Sequence, residues 1–398
     1  MSLIDTPRAN RLHIGIFGKR NSGKSSLLNA LTGQDIALVS DVAGTTTDPV
    51  YKAMEIYGIG PCVFIDTAGF DDVGELGKMR VEKTKMAAEK TDIALVVFSG
   101  DDLDEEKKWI DMLKSRGTPV VLVLNKVDIL AGAEEIAEKI EKEYGLKPIL
   151  VSTREKVGIE KVHAAIIELL PEGYEVKSIT GRLAGEGDLV LLVMPQDIQA
   201  PKGRLILPQM QTLRDLLDKK CVVVSATTDM LDQALKGLVK PPELIITDSQ
   251  VFKTVYDKKP EGSKLTSFSI LFANYKGDLD YYVKSVEAID NLTEDSKVLI
   301  AEACTHVPLE EDIGREKLPR MLRKRIGEKL TVEVVSGQDF PEDLSGYDLV
   351  IQCGACMFNR KHVLSRIERA RSQGVPMSNY GVVIAYLTGI LDKIDLQI

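Results

Sequence analysis

The stretch "LHIGIFGKRNSGKSSLLNALTG", residues 12–33, decides the fold of the first third of the chain. A short apolar strand pattern at 12–17 runs into the motif G-x-x-x-x-G-K-S at 18–25, and a helix pattern follows at 25–32. This is the phosphate-binding loop (P-loop) in the strand–loop–helix context that the motif requires. The sequence therefore predicts an α/β nucleotide-binding domain at the start of the chain.

The residue types of this loop suit phosphate binding. Gly18 and Gly23 let the backbone curl so that successive N–H groups face the phosphates, and the helix N-terminus adds the positive end of its dipole. Lys24 reaches the β- and γ-phosphates, and Ser25 supplies a hydroxyl to Mg²⁺. The nucleotide contacts predicted for the loop are Gly18, Asn21, Ser22, Gly23, Lys24, Ser25 and Ser26.

Two further motifs follow in the order of a nucleotide switch. The segment "AGTTTD" (43–48) offers hydroxyls that close on Mg²⁺ and the γ-phosphate. The segment "VFIDTAG" (63–69) is an apolar strand that ends in Asp66, which is suited to hold Mg²⁺ through water, and Gly69 is free to turn toward the γ-phosphate. The contacts predicted here are Thr45, Thr46, Asp66 and Gly69, of which Thr46, Asp66 and Gly69 join Lys24 as predicted catalytic residues.

The choice of base is predicted by "VVLVLNKVD" (120–128), a buried strand that ends in Asn125, Lys126 and Asp128. The carboxylate of Asp128 accepts hydrogen bonds from N1–H and the exocyclic amine of guanine. Adenine offers no such pair of donors, so buried polar groups would stay unpaired with the wrong base and GTP is selected over ATP. Ser152, in "ILVSTR", is the predicted contact of the last base-binding loop.

Length and charge limit the function further. With 398 residues the chain is too long for one hydrophobic core, so two or three domains are expected. The net charge of -9 argues against a dedicated nucleic-acid binder. No apolar run reaches the ~18 residues of a membrane span, and the N-terminus lacks a signal-peptide layout. We therefore expect a cytoplasmic protein that binds neither nucleic acid nor membranes.

Composition shifts divide the chain into three predicted domains. A GTP-binding domain covers 1–172, a small α/β domain covers 186–258, and a C-terminal domain with a doubly wound parallel sheet of about four strands covers 265–398. The first strand of the C-terminal sheet is predicted at 266–273. The middle domain carries no chemistry of its own, and its apolar helix face and strand edges suit a dimer interface or a structural spacer.

The cysteines separate into two groups. Cys62 and Cys221 lie in apolar strand patterns and are interpreted as core residues. Cys304 and Cys353 each follow a predicted strand of the C-terminal sheet, and Cys356 lies one turn further. The carboxyl ends of parallel strands share one edge of a sheet, so these three thiols are expected to meet there.

The chemistry of this thiol site stays open at the level of the residues. A helix follows Cys353 and Cys356, and its N-terminus is expected to favour thiolate over thiol. Zinc needs a fourth ligand, which His306 can supply. A disulfide between Cys353 and Cys356 would leave Cys304 unused, whereas three thiolates can hold an iron–sulfur cluster with one iron open to exchangeable ligands.

The GTPase motifs resemble the TrmE–Era group rather than Ras. Phe70 follows "DTAG" where Ras-like proteins place the glutamine that orients the attacking water. The resemblance implies that an acidic residue does this instead, and Asp72 matches it better than Asp71. Asn21 matches an asparagine that binds K⁺ in that group, where the cation replaces an arginine finger. Slow GTP hydrolysis stimulated by K⁺ is the implied activity.

The whole chain resembles HydF, the family of maturation GTPases for iron–iron hydrogenases. A TrmE-like domain is joined to "C-T-H" at 304–306 and "C-G-A-C" at 353–356. The resemblance implies a GTPase, a dimerisation and a cluster domain, with Cys304, Cys353 and Cys356 holding a 4Fe–4S cluster. It also implies a homodimer or higher oligomer that receives a two-iron precursor from radical-SAM maturases and passes it to apo-hydrogenase.

One position departs from the family pattern. Many HydF members have a histidine directly before C-G-x-C, and this chain has Gln352. The fourth cluster ligand is therefore open between His306, a carboxylate of Glu302 or Glu310, water, and none. Two other functions also remain: a TrmE/Era-like GTPase of RNA modification or ribosome assembly with a structural zinc, and a redox-sensing GTPase with a Cys353–Cys356 disulfide.

Overall fold

The fold is taken from a computed structural model of the chain. It describes residues 10–32, 49–56, 60–69, 74–100, 102–170, 178–195, 205–303, 312–337, 339–396 and 398. The chain divides into two compact units, Met1–Tyr174 and Glu175–Ile398. In the described part, no helix is long and apolar enough to cross a membrane.

The first unit is a sheet with helices on both faces. Its strands are β1 (Leu12–Gly18), β2 (Val50–Ile56), β3 (Gly60–Asp66), β4 (Ile93–Phe98), β5 (Val120–Leu124) and β6 (Ile149–Leu150). Its helices are α1 (Lys24–Thr32), α2 (Gly74–Ala88), α3 (Asp104–Ser115), α4 (Ala133–Tyr144) and α5 (Ile159–Glu168). Across the described residues the strand order is β2-β3-β1-β4-β5-β6, and only β2 runs antiparallel to its neighbour.

Both faces of this sheet are buried, which explains why β1, β4 and β5 read as continuous apolar runs. Leu27 of α1 and Ile166 of α5 pack on one face, and Trp109 of α3 and Ile140 of α4 pack on the other. The apolar ends of β1, β3 and β5 therefore deliver the phosphate, Mg²⁺ and base motifs to one edge of the sheet.

The second unit contains two parallel sheets. The first has β7 (Leu189–Val193), β8 (Val222–Ala226), β9 (Leu244–Thr247) and β10 (Lys264–Ser267) with helices α6 (Leu207–Asp218), α7 (Leu231–Gly237) and α8 (Phe252–Lys258). The chain continues through α9 (Phe268–Lys276) and α10 (Leu279–Ser285). The second sheet follows with β11 (Lys297–Glu302), α11 (Leu318–Ile326), β12 (Thr331–Ser336), β13 (Leu349–Gln352), α12 (Arg360–Ser372), β14 (Met377–Asn379) and α13 (Tyr380–Leu387).

The strand orders of the described residues are β10-β9-β7-β8 and β12-β11-β13-β14, and every pairing in them is parallel. One apolar core joins the two sheets: Leu191 and Ile245 of the first share it with Ile300 and Ile351 of the second. The predicted fold class, a P-loop domain followed by a small α/β sheet and a parallel C-terminal sheet, is confirmed.

One predicted strand is wrong. The sequence pattern suggested a strand at 266–273 in the C-terminal sheet, but β10 ends at Ser267, pairs with β9 of the first sheet, and is followed by helix α9. Most of α9 is buried, so it lacks the polar stripe that reveals a helical period. The predicted domain limits at 172, 186, 258 and 265 stay predictions.

Residue 395 closes the outer edge of β10. Leu265 N donates to Asp395 Oδ2 at 3.0 Å, and Asp395 N donates to Leu265 O at 2.8 Å. The last described part of the chain thereby completes the pairing of a strand that lies far earlier in the sequence.

Candidate functional site

The P-loop needs glycine at both ends of its motif. Gly18 and Gly23 have φ values of 153° and 93°, in the region that side chains disfavour. A Cβ on Gly18 would lie 2.5 Å from Val97 O, and one on Gly23 would overlap the Asn125 side-chain amide. Only glycine therefore allows the loop to pass this close to its neighbours.

Lys24 lies inside the loop. Its side chain is buried, and Nζ donates to Gly18 O at 3.0 Å and to Lys19 O at 2.8 Å. Phosphate oxygens are stronger acceptors for an ammonium group than neutral carbonyls are. The loop therefore already holds the Lys24 ammonium group in place, and the phosphate oxygens of a bound nucleotide can replace the two carbonyl oxygens as its acceptors.

Ser25 and Asp66 form the candidate Mg²⁺ site. Ser25 Oγ donates to Asp66 Oδ2 at 2.7 Å, while Asp66 Oδ1 is buried and has no hydrogen-bond partner among the described residues. Burial raises the pKa of Asp66, and the Ser25 hydrogen bond and the nearby Lys24 charge oppose that rise. A hydroxyl and a carboxylate are the hard oxygen ligands that Mg²⁺ prefers, so the donor set fits this cation.

Asn125 forms hydrogen bonds with both the P-loop and the predicted base-binding loop. Its side chain is fully buried, with Nδ2 donating to Ser22 O at 3.0 Å and Oδ1 accepting from Thr153 N at 3.2 Å. Close by, Ser152 Oγ donates to Asp128 Oδ1 at 2.7 Å. Ser152 therefore fixes the carboxylate that is predicted to recognise guanine.

An ion pair that the sequence does not predict connects the P-loop to neighbouring acidic residues. Lys19 Nζ lies 3.1 Å from Glu106 Oε2 and 2.8 Å from Asp102 Oδ2, and it donates to Asp102 O at 2.9 Å. Glu106, on α3, is only 2% exposed, and burial raises the pKa of its carboxyl. The pair connects the P-loop to α3.

The remaining predicted nucleotide residues fall into two sets. Gly69 is buried just after β3, Asn21 is exposed with φ 59°, Lys126 has φ 65° at the end of β5, and Ser26 is half-buried on α1. Thr45, Thr46 and Asp72 lie outside the described residues, and their roles stay predictions.

The second candidate site lies at the carboxyl edge of the C-terminal sheet. Cys353 follows β13 directly, and its N–H donates to Ala301 O of β11 at 3.0 Å. Cys353 Sγ accepts hydrogen bonds from Ala303 N at 3.1 Å and from Ala355 N at 3.4 Å. Backbone donors aimed at a sulfur atom are typical of thiolates that hold metals or clusters.

The expected effect of the helix N-terminus on this thiol is wrong. Burial raises the pKa of Cys353 to about 11, although the N–H groups of Ala355 and Ala303 oppose the rise. Helix α12 begins only at Arg360, capped by Asn359, so Cys353 does not belong to the first turn, where the helix dipole acts most strongly. The free thiol is therefore protonated at neutral pH, and a bound metal would have to displace the proton.

Lys276, at the end of α9, binds the loop that carries the two cysteines. The side chain is only 2% exposed, and Nζ donates to Phe358 O at 2.7 Å, Cys356 O at 3.0 Å and Ala355 O at 3.4 Å. Burial lowers the pKa of Lys276 to about 8, and the negative charge that Cys356 and Cys353 can carry opposes the drop. Nothing in the sequence marks this residue, because the apolar run that precedes it at 266–273 has the pattern of a strand and hides the helix that ends at Lys276.

The candidates for a fourth ligand differ in their surroundings. Glu302 is buried, and its Oε2 accepts from Arg315 Nε at 3.1 Å and from Ser336 Oγ at 3.3 Å. Gln352 is 1% exposed, and its Oε1 has no hydrogen-bond partner among the described residues. Glu302 is thus already engaged in an ion pair, whereas Gln352 holds an unused acceptor.

Cys304, His306 and Glu310 lie outside the described residues. Within the described part, no group of three histidine, cysteine or acidic side chains is arranged to hold a metal ion. Cys62 and Cys221, in contrast, are buried in the cores as predicted, and burial raises the pKa of Cys62 to about 12.

Three family models match successive parts of the chain. They are the 50S ribosome-binding GTPase at residues 13–126, the Hydrogen maturase F dimerization domain at 179–277 and the Hydrogen maturase F tetramerization domain at 280–396. The two maturase models together span more than half of the 398 residues. The chain belongs to the hydrogen maturase F family. The HydF resemblance predicted from the motifs is thereby confirmed, and the described cysteine loop lies within the tetramerization domain of this family.

Curated relatives of the GTPase class match part of this hydrogen maturase F chain. The tRNA modification GTPase MnmE of Chromobacterium violaceum is 38% identical over 161 residues, which are 40% of this chain and 35% of the relative. GTPase Der of Wolinella succinogenes is 44% identical over 137 residues, 33% of this chain and 28% of the relative. The chain thus spans about a third of the length of these relatives.

Solved GTPase structures also match. An Era structure from Aquifex aeolicus bound to GDP.AlF4- covers 56% of this chain and 97% of its own at 21% identity, with a TM-score of 0.38. A structure of NFeoB from S. thermophilus bound to GDP.AlF4- and K+ covers 40% of this chain and 64% of its own at 21% identity, with a TM-score of 0.33.

Proposed function

We propose that the chain is a GTP-hydrolysing scaffold of iron–iron hydrogenase maturation. Its substrate and cargo is a two-iron precursor, which it receives from radical-SAM maturases and delivers to apo-hydrogenase. The observation that carries this proposal is that one chain of the hydrogen maturase F family combines two features. It has a P-loop with an Mg²⁺ donor pair, and it has a half-buried cysteine, Cys353, whose sulfur accepts two backbone N–H bonds.

The nucleotide site binds GTP with Mg²⁺ held by Ser25 and Asp66, and Asp128 reads the base. K⁺ bound through Asn21 supports hydrolysis, Thr46 and Gly69 contact the γ-phosphate side, and Asp72 positions water. Turnover is slow in this proposal, since no glutamine follows "DTAG". The support is the motif set, the family membership and the ready-made contacts of Lys24 and Asp66.

The cluster site holds a 4Fe–4S cluster through Cys304, Cys353 and Cys356, with His306 as a candidate fourth ligand. Such a cluster with three protein thiolates offers an iron that can bind further ligands. The N–H groups of Ala303 and Ala355 hold the sulfur of Cys353 in place.

The chain acts in the cytoplasm as a homodimer or higher oligomer in this proposal. Matches to a dimerization and a tetramerization domain support association. The edge strand β8 supports it too, because Val222 is 57% exposed on a short apolar strand whose outer edge is not paired within the described sheet.

Anaerobic reconstitution of the full chain with iron and sulfide tests the cluster assignment. We expect about four irons per chain in the wild type and loss of the cluster absorption and EPR signal in Cys304→Ser, Cys353→Ser and Cys356→Ser. Cys221→Ser is the matched control, since that thiol donates to Gly185 O in the core of the first sheet of the second unit. Zinc at one per chain without iron uptake, or full iron uptake in Cys353→Ser, would contradict the proposal.

Delivery is tested separately. The chain is purified from cells that express the radical-SAM maturases and is mixed with apo-hydrogenase made without them. Hydrogen evolution should appear with the wild type and be absent with Cys353→Ser. Hydrogen evolution by the apo-hydrogenase alone, or equal activity with both chains, would count against the carrier role.

A further inference from the structure

The loop that carries Cys353 and Cys356 (residues 353–358, the cysteine loop) is held by a lysine side chain from a helix elsewhere in the chain. Lys276 ends α9, while the loop joins β13 to α12, about 80 residues later. Its ammonium group has three N–H donors, and three loop carbonyls, of Ala355, Cys356 and Phe358, accept from it. Each of the three N–H donors of the Lys276 ammonium group therefore has a carbonyl acceptor in this loop.

The same loop contains a strained residue. Ala355, between the two cysteines, is buried and has φ 48°, in the left-handed region that residues with a side chain disfavour. Gly354, its neighbour, would accept that conformation more easily, yet the backbone turns at Ala355. Such a conformation persists only where the surroundings hold it, and the Lys276 bond to Ala355 O is one of the contacts that does so.

The direction of the carbonyls fixes the direction of the N–H groups. In a trans peptide unit the C=O and the following N–H point in opposite directions. Binding of Ala355 O and Cys356 O to Lys276 therefore turns the N–H groups of Cys356 and Met357 away from the ammonium. Ala355 N is directed at Cys353 Sγ.

We propose that Lys276 is a positioning residue for the cysteine loop, which it holds in the conformation that presents the thiols and loop N–H groups to a bound iron–sulfur cluster. The inference rests on the proposed function, and it adds a residue that ligates nothing itself. Hydrogen bonds to cluster sulfur and nearby positive charge make a cluster easier to reduce. Lys276 therefore affects both the shape of the site and the reduction potential of the cluster.

The first test uses the full-length chain without metal. Lys276→Met keeps the length of the side chain and removes all three hydrogen bonds. We expect amide hydrogen exchange in 353–358 to accelerate at least about tenfold, the loss of protection that broken hydrogen bonds give, with exchange in β11 unchanged. Lys284→Met is the matched control, because Lys284 is an exposed lysine on the next helix. Unchanged exchange in 353–358 of Lys276→Met would overturn the proposal.

A second variant covers the case in which Lys276→Met does not fold. Lys276→Gln is neutral but keeps a donor group, so it should retain part of the protection of 353–358. If Lys276→Met does not fold and Lys276→Gln keeps the full wild-type protection of 353–358, the positive charge of Lys276 is not what holds the loop.

The second test uses the reconstituted chains. The midpoint potential of the cluster should shift to more negative values in Lys276→Met and Lys276→Gln and stay unchanged in Lys284→Met. Equal potentials in all chains would contradict the electrostatic part of the inference. If the wild type takes up no iron, the proposed function fails, whereas the hydrogen-exchange result on the metal-free chain still decides whether Lys276 positions the loop.

Discussion

Ser25 Oγ lies 2.7 Å from Asp66 Oδ2 and donates its proton to that carboxylate. Ser25 is the predicted Mg²⁺ ligand and Asp66 is predicted to hold the cation through water, and in this structure each side chain is the partner of the other. Binding of the cation must exchange this hydrogen bond for metal contacts. The pair therefore keeps both side chains in the site before nucleotide arrives.

Replacement of Ser25 by alanine should weaken nucleotide binding only when the metal is present. Removal of one ligand oxygen should raise the Kd for a non-hydrolysable GTP analogue at least about tenfold in Mg²⁺, and should change it little in EDTA. Calorimetry in both buffers measures the difference. Thr32→Ala is the control, since Thr32 lies at the far end of the same helix, where its Oγ1 donates to Asn29 O. A loss of affinity that is equal with and without Mg²⁺ would rule out the metal contact.

The metal-free stability of the first unit should depend on pH through Asp66. Burial raises the pKa of Asp66 in the folded state, so the folded chain holds this proton more tightly than the unfolded chain does. The contribution of Asp66 to the free energy of unfolding therefore falls as the pH rises from about 4, the ordinary aspartate value, through the raised pKa. Asp66→Asn should be more stable than the wild type at pH 7.5 in EDTA, and the difference should vanish near pH 4.

Urea unfolding followed by tryptophan fluorescence measures this effect. The chain has a single tryptophan, and Trp109 lies in the core of the first unit, so the signal reports that unit alone. A difference between wild type and Asp66→Asn that is independent of pH would contradict the raised pKa.

The base-binding loop should depend on Ser152 through Asp128. Asp128→Asn replaces an acceptor by a donor, so GTP affinity should fall about 100-fold while XTP, which has a carbonyl where guanine has an amine, gains affinity. Ser152→Ala removes only the hydrogen bond that fixes the carboxylate. It should weaken GTP binding about tenfold, the lower end of the effect of one hydrogen bond to a charged group, without any gain for XTP. Binding of XTP by Ser152→Ala would show that the two side chains have a different arrangement with nucleotide.

The cation requirement of hydrolysis should follow Asn21. We expect GTP turnover at least about tenfold faster in K⁺ than in Na⁺, because a cation at the phosphates offsets the charge that develops there. Asn21→Ala should abolish the difference, and Arg20→Ala, which changes the neighbouring exposed side chain, should keep it. Equal rates of the wild type in both salts would refute the K⁺ proposal.

The ion pair of Lys19 and Glu106 should stabilise the first unit. Lys19→Met leaves a buried carboxylate without its cation, which should cost about 2 kcal/mol of unfolding free energy, less than a fully buried pair because Lys19 is partly exposed. The double variant Lys19→Met/Glu106→Gln should recover most of this loss, since no charge then remains buried. Trp109 fluorescence during urea unfolding reports both. Equal stability of Lys19→Met and the wild type would show that the pair is weak, and an equal loss in the single and double variants would show that the unpaired carboxylate is not the cause.

The positions of the nucleotide motifs at strand ends could be predicted because each motif is local. The P-loop, Asp66 and Asn125 lie at the ends of apolar strands, and a parallel sheet brings such ends together whatever the details of the helices. The contact of Lys19 with Glu106 could not be predicted, because the two residues are 87 positions apart and no spacing rule links a P-loop side chain to helix α3.

The C-terminal sheet was harder to predict. Cys353 was placed correctly after a strand, but the effect of its burial on the pKa outweighed the expected effect of the helix dipole. The helix that carries Lys276 is buried around most of its circumference, so it has the apolar run of a strand and no helical period. Strand β14 has only the residues Met377–Asn379, too few for an alternating pattern.

The hydrogen bonds between Leu265 and Asp395 cannot form until synthesis of the chain has reached Asp395. The two residues are 130 positions apart. At a ribosomal rate of about 5–20 residues per second, roughly ten seconds pass between the synthesis of strand β10 and the synthesis of the residue that covers its edge. During that interval a nascent chain displays an open parallel strand that other chains can pair with. Expression yield of this protein should therefore respond to translation speed and chaperone supply over the last 130 residues before Asp395 more than to changes upstream.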